Sequence, residues 1–410
     1  LSPHCKRVAI FFWDGHLAVA PSLVSALQLL AAAGYEVDVF IRGLGDAIGP
    51  LGEIPLGVHI FDLASARRLS SGLSRRWLPA RLGVGAGVFL YLVFAWKQAR
   101  RRHYSAIFGV DAIGGYCGQR IASWFRLPFF YWSLELLFAR DARRLYERLL
   151  IHCGRVATRH ARWIVIQDSE RAKALLAENQ PGHERILLVP NGPAGPANLG
   201  RSDFLQRRFH IPRETRIVLH AGMIGDWVLS HDIARSIHAW PPEFCMVMHS
   251  NEPRRADEPD IEQLTRVGEP RLILSLDPVA ASDVDDLISS ASVGLATYGK
   301  GLGPNWDLIV YASGKLGHYL RNGLPVICSD HPGMRELMAQ YRCGIAIESV
   351  DEIAAALSEI SANYAAYRAG ALDCYRRRYE FSAHFGAVLD ALARECGAPV
   401  EPAEKVLAWK

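Results

Sequence analysis

The sequence sets one lysine at the point where a helix begins. In ASGKLGHYLRNGLPVICSD (Ala312–Asp330), Ser313 is a good helix cap, its hydroxyl accepting from the free amides of the first turn. Gly314 leaves room for a group to approach those amides. Lys315 adds positive charge where the helix dipole is already positive. An apolar strand, Ser292–Thr297, precedes the helix, and another, Leu324–Cys328, follows it. The helix start therefore falls at the carboxyl end of a parallel sheet, the usual seat of an anion. An ordinary capped helix is the plainer alternative. Gly222 lies in the turn AGMIG directly after strand Arg216–His220, where glycine lets amides come close to a phosphate. Asp111 and Glu135 end two further strands, the position from which a carboxylate orients or deprotonates a hydroxyl. Capping the next helix or pairing with an arginine would equally explain them.

Ala312–Asp330 resembles the donor-site segment of retaining GT-B glycosyltransferases (bacterial glycosyl transferase group 1, family 4-like). In these a helix of the type S-x-K-L-x-E-Y-L-x-x-G-x-P-V-I grips the diphosphate of a sugar nucleotide. The resemblance implies a fold and a reaction: glycosyl transfer to a hydroxyl with retention of anomeric configuration. The donor would lie against Gly222, Met223, Asn305, Asp307, Ser313, Gly314, Lys315 and His318, with Lys315 and Glu135 as the catalytic pair. Asn305 and Asp307 suit hydrogen bonds to sugar hydroxyls, and Trp306 suits stacking. The loop after the first strand would face the acceptor through Asp14, Gly15 and His16, joined by Asp111 and Glu135. Three positions depart from the family pattern. Met223 stands where many relatives carry arginine, with no lysine between 216 and 240, which leaves the diphosphate to Lys315, the helix amides or Lys300. Val310 and His318 stand where two carboxylates are expected, and a neutral imidazole accepts one hydroxyl hydrogen where a carboxylate accepts two. A sugar-nucleotide epimerase and a non-catalytic scaffold of the same fold are the alternatives.

The elements that must carry these residues alternate strand and helix along the chain. Arg7–Trp13, Glu36–Ile41, Val58–Leu63, Ser105–Asp111, Pro128–Leu134, Trp163–Ile166 and Arg185–Val189 read as strands of a first unit. Asp14-Gly15-His16 is expected to turn directly into a helix reaching Ala33. The opening lacks G-x-G-x-x-G, which withholds support for a dinucleotide site. Asp141–His160 reads as one long helix, and Asp168 caps the next. WIVIQDSERAKALL and the Pro190-Asn191-Gly192 turn are similar to the GT-B segments before the domain crossing. Arg216–His220, Phe244–His249, Arg271–Leu276, Ser292–Thr297, Leu324–Cys328 and Cys343–Ile347 make a second unit. Asp283-x-Asp285 is read as the first turn of a helix with a Ser282–Asp285 capping box, rather than as a metal site. The expected architecture is α/β, GT-B, with two Rossmann-like domains facing across a cleft. Their bounds are 1–195 for the acceptor and 196–375 for the nucleotide sugar, with 376–410 a helix returning to the first domain.

A chain of 410 residues, half of them hydrophobic, is long enough for two cores. Residues 1–195 carry 24 Lys and Arg against 14 Asp and Glu, a net of +10; the remainder carries 22 against 28, a net of −6. A basic half of this kind faces an anionic partner. The apolar run Leu82–Trp96 has basic flanks and falls short of the ~20 residues a span requires. It is expected either to pack on the sheet or to lie on an anionic membrane surface. The expected partners are thus a nucleotide sugar, a lipid-linked or glycan acceptor and a membrane surface, with no nucleic acid. No cofactor or metal is called for. The eight cysteines form no C-x-x-C and suit reduced, buried thiols. Lys6-Arg7 leads straight into a strand, unlike a secretory leader. The expected location is the cytoplasm, peripheral on the inner face of the membrane.

Overall fold

The computed structural model describes residues 6–13, 17, 20–43, 54–63 and 80–397. Asp14, Gly15, His16, Arg67, Arg68, Arg75 and Arg76 lie outside the described residues. Two wholly parallel sheets organise the rest. The first holds β1 (Arg7–Phe12), β2 (Glu36–Ile41), β3 (Val58–Asp62), β4 (Ala106–Val110), β5 (Phe129–Trp132), β6 (Trp163–Ile166) and β7 (Ile186–Leu188), in the order β3-β2-β1-β4-β5-β6-β7. The second holds β8 (Arg216–Ala221), β9 (Phe244–His249), β10 (Leu272–Ser275), β11 (Val293–Ala296), β12 (Val326–Ser329) and β13 (Gly344–Ile347), in the order β10-β9-β8-β11-β12-β13. Strand order reverses beside the first strand of each sheet. A crevice for ligands therefore opens between β1 and β4 in one lobe and between β8 and β11 in the other.

The sequence dictates much of this directly. Strands such as AIFGV and VGLA are buried along their whole length, as parallel strands covered by helices on both faces must be. Asp38 is a fully buried acid inside β2. Arg102 at 2.9 Å and the Tyr104 hydroxyl at 2.6 Å satisfy its carboxylate, which offsets the cost of removing it from water.

Three helix readings change. The first helix is Pro21–Ala32 and starts at the proline, which presets φ for a first turn, rather than just after His16. Asp141 belongs to a separate short turn, and the long helix is Leu145–His160. The Ser282–Asp285 capping box does not form. Ser282 instead bonds Asp283, while Asp285 pairs with Arg321 at 2.9 Å and accepts from Asn322. The apolar run lies in a helix, Ala80–Ala99, that buries the seam Tyr91, Ala95 and Ala99 on the first sheet. Phe89, on its outer side, is 65% exposed. No helix among the described residues is long and apolar enough to cross a membrane.

The last described helix, Phe381–Glu395, leaves the second lobe and packs Phe381, Phe385, Val388, Ala391 and Leu392 into the core of the first. Its Phe381 and Phe385 rings lie about the Trp132 ring, and Glu395 accepts from Arg162 and Trp163. A second crossing is the Pro190-Asn191-Gly192 turn. The Asn191 amide donates to Tyr311 O at 2.8 Å and its side chain to Ala312 O at 3.0 Å.

Candidate active site

The crevice of the second sheet is where the sequence-predicted cation sits. β8 ends at Ala221, and Gly222 follows with φ +134°, a conformation that L side chains rarely adopt. Across the reversal, β11 is followed by Thr297 and Tyr298. The Lys315 side chain reaches into the gap between them. A Cβ built on Gly222 would stand 3.7 Å from its Nζ, and that nitrogen lies 5.1 Å from the Tyr298 ring centroid. Lys315 Nζ is shielded from solvent and has no hydrogen-bond partner. Burial pulls its pKa down from 10.5 to about 7. A cation over an aromatic face recovers ~0.5–2 kcal/mol, whereas stripping an ammonium of water costs several. The ring therefore falls short, and an anion in the crevice is the group that would complete the balance.

The rest of the crevice agrees. Ser313 caps Gly314–Arg321 by accepting from Leu316 N, and its hydroxyl also meets the Tyr298 hydroxyl at 2.5 Å. The amides of Gly314 and Lys315 have no acceptor among the described residues. His220, fully buried behind the Gly222 turn, holds Met223 O at 3.0 Å. Burial, and to a lesser degree Lys315, lowers its pKa to about 3, so it adds no competing charge. Met223 itself is exposed at the mouth.

Other expected residues take different roles. The space beside Gly314 is occupied by the first lobe: a Cβ there would stand 3.1 Å from Pro21, and one on Gly317 3.1 Å from Gly192. These two glycines let the lobes touch, so Gly314 serves the crossing as well as the crevice. Asn305 Oδ1 accepts from Leu136 N at 3.1 Å and Arg171 Nη2 at 2.9 Å, which occupies it in a contact between lobes rather than leaving it for a hydroxyl. Asp307 is half-buried in the same short turn, Pro304–Asp307. Asp111 has φ +54° and accepts from the amides of Leu134 and Glu135, so its carboxylate shapes the loop after β5. Glu135 is carried on that loop with its residue exposed. His318 lies near the Asp285–Arg321 pair, its pKa lowered by burial to about 4. Val310 is buried, and its carbonyl accepts from Tyr379.

Sequence reasoning passed over four residues: His220, Tyr298, Trp227 and Arg171. Trp227 packs on Trp306 with ring centroids 4.6 Å apart, and Trp306 lies 5.8 Å from Tyr298, so an aromatic wall runs from the loop to Lys315. In the string, Trp306 marks this wall as the stacking candidate, while Trp227 is just a tryptophan five residues after Gly222.

Two Rossmann-like lobes, each a parallel sheet covered by helices, are the arrangement of the GT-B fold. Residues 286–373, which include the Lys315 helix, match the family described as "Glucosyltransferase 3-like, C-terminal domain". Over 355 residues, 81% of this chain and 78% of that protein, the chain is 19% identical to the D-inositol 3-phosphate glycosyltransferase of Corynebacterium diphtheriae. Among solved structures, sucrose-phosphate synthase from Thermosynechococcus elongatus superposes with a TM-score of 0.69 at 14% identity, over 95% of this chain and 98% of that one. HepE from Anabaena, in complex with UDP-glucose, gives 0.68 at 15% identity, over 95% and 99%. The chain therefore has the GT-B fold, and within it residues 286–373 are similar to glucosyltransferases.

Proposed function

We propose that this protein is a retaining glycosyltransferase of the hexosyltransferase type. It moves a sugar from a nucleoside-diphosphate sugar to a hydroxyl of a lipid-linked or polysaccharide acceptor, in cell-surface polysaccharide or glycolipid synthesis. The observation that carries this is the solvent-shielded, unpartnered Lys315 ammonium between Gly222 and Tyr298, at the start of a helix with open amides. HepE, solved with UDP-glucose, makes a uridine donor the first to try.

In the proposed reaction the bond from the anomeric carbon to the diphosphate breaks, and the acceptor oxygen bonds that carbon on the same face. Charge builds on the departing diphosphate, where Lys315, the Gly314 and Lys315 amides and the Gly222 turn offset it. The acceptor proton passes to a departing phosphate oxygen, and Glu135 assists in that transfer. The chemistry calls for no cofactor beyond the donor substrate, and none of its steps needs a metal. Incubation with a panel of UDP-, GDP- and ADP-sugars and lipid-linked or glycan acceptors tests the reading. Acceptor-dependent release of free nucleotide is expected. Isomerised sugar without transfer, or silence with every donor, would replace it with an epimerase or a scaffold.

The same reading sets the protein in the cytoplasm, against the inner face of the membrane. Support comes from the basic first lobe and from Leu145, Tyr146 and Leu149, exposed in one turn with Arg143, Arg144 and Arg148, with Phe89 exposed on another helix. Apolar side chains among arginines suit an anionic lipid surface, at ~1 kcal/mol for each basic residue near it. Flotation with phosphatidylserine vesicles should carry the protein, and glutamine at Arg143, Arg144 and Arg148 together should release it. Flotation indifferent to those changes would end the membrane assignment.

A further inference from the structure

Arg171 is the least expected side chain in the molecule. It occupies the first turn of the helix Ser169–Asn179, where a sequence reading puts a solvated charge, yet it is fully buried. A guanidinium has five N–H donors, and each of the five meets an oxygen. Nε donates to Gln167 Oε1 at 2.6 Å. Nη2 donates to Leu134 O at 2.8 Å and Asn305 Oδ1 at 2.9 Å, and Nη1 to Leu308 O at 3.0 Å and Asn305 O at 3.2 Å. All five acceptors are neutral. Leu134 and Gln167 belong to the first lobe, Asn305 and Leu308 to the second.

A buried cation with no carboxylate bonded to it is a poor way to add stability, because a well-packed apolar side chain usually does as well or better. What the planar fork supplies is direction: it fixes two loops from different lobes in one plane. Each loop leads to one side of the proposed chemistry. In the first lobe, Gln167 Nε2 also holds Ser133 O, and Asp111 holds the Leu134 and Glu135 amides, which fixes the backbone that bears Glu135. In the second, Asn305 is followed by Trp306, which lies on Tyr298, and Tyr298 lies under Lys315 and bonds Ser313.

We infer that Arg171 is a positioning residue that latches the donor-side loop 303–308 to the acceptor-side loop 134–136, setting the closed arrangement of the lobes in which both sides of the reaction meet. The coupling of the loops stands on the hydrogen bonds alone, and its effect on turnover rests on the transfer reading above.

Hydrogen exchange on the full chain, without substrate, decides it. Arg171→Lys keeps the charge and loses the fork. Exchange at the amides of Trp306, Asp307 and Leu308, which Arg171 does not itself bond, should rise at least tenfold. The β12 and Leu316–Arg321 amides should keep their protection. Asn305→Leu, which leaves Arg171 in place and removes its side-chain acceptor in the second lobe, should raise exchange in the same segment and guards against misfolding of the lysine variant. Unchanged exchange at 306–308 in both variants, or a rise spread evenly over both lobes, would overturn the latch. Where UDP-sugar turnover is measurable, both variants should hold the UDP dissociation constant within about twofold while kcat falls at least tenfold. A fall in affinity with kcat intact would likewise overturn it. A wild type with no turnover bears on the transfer reading, while the exchange result still decides the latch.

Discussion

Lys315→Ala is expected to lower nucleotide-sugar turnover by about 10²–10³, the usual effect of removing one charge-stabilising donor from a water-excluded site. The melting temperature of the empty protein should stay near that of wild type, because two effects oppose each other. The variant loses the packing of the lysine stem against Gly222 and Tyr298. It also sheds an ammonium that is shielded from water without a partner, which costs the empty fold stability. UDP should show the difference that heat alone hides. A ligand at 100 times its dissociation constant stabilises the folded state by about 2.7 kcal/mol, and most of that upward shift should vanish in the variant. Steady-state kinetics beside thermal unfolding, with and without UDP, make the check. Unchanged turnover would remove Lys315 from the mechanism. A collapse of both turnover and melting temperature would make it a structural residue.

The fold was open to reading because its strands are buried on both faces and so appear as unbroken apolar runs between helical stretches. The Ser313–Lys315 start was legible for a related reason: capping, dipole and charge all act within one turn. Residues whose role depends on distant chain were opaque. Gly314 looks like room for a ligand until the first lobe supplies Pro21 and Asn191 beside it. Asn305 looks free until Leu136 and Arg171 converge on its oxygen. Nothing in SERAKALL tells that three carbonyls and two side-chain oxygens, from three separate segments, will meet around Arg171. The apolar helix Ala80–Ala99 failed differently. With few polar residues to mark a side, its sequence could not say that Tyr91 faces the sheet and Phe89 the solvent. Asp111 was legible as an acid at a strand end, while its left-handed backbone, which turns the carboxylate back onto the 134–135 amides, was not.

UDP binding should weaken with rising pH in a range where UDP itself changes little. In the empty crevice burial holds the Lys315 pKa near 7, well below its ordinary 10.5. A diphosphate beside it favours the charged form and carries the bound-state pKa back up, so binding above pH 7 draws a proton from solution. Half the lysine is charged at pH 7 and about 1% at pH 9, and linkage then predicts a dissociation constant about 50-fold larger at pH 9. Calorimetry in two buffers of different ionisation heat should register uptake of about half a proton at pH 7 and about one at pH 9. The stability of the empty protein follows with the opposite sense. Between about 7 and 10.5 the unfolded chain binds the proton and the folded one does not. Folding is therefore favoured as pH rises through that window, and the cost of the buried charge is fully present below it. Relative to Lys315→Met, wild type should gain melting temperature from pH 7 to 9. His220 and His318, with pKa values near 3 and 4, stay neutral throughout and cannot produce the profile. Tight binding with no pH dependence would mean that the open amides of the helix hold the diphosphate without the lysine.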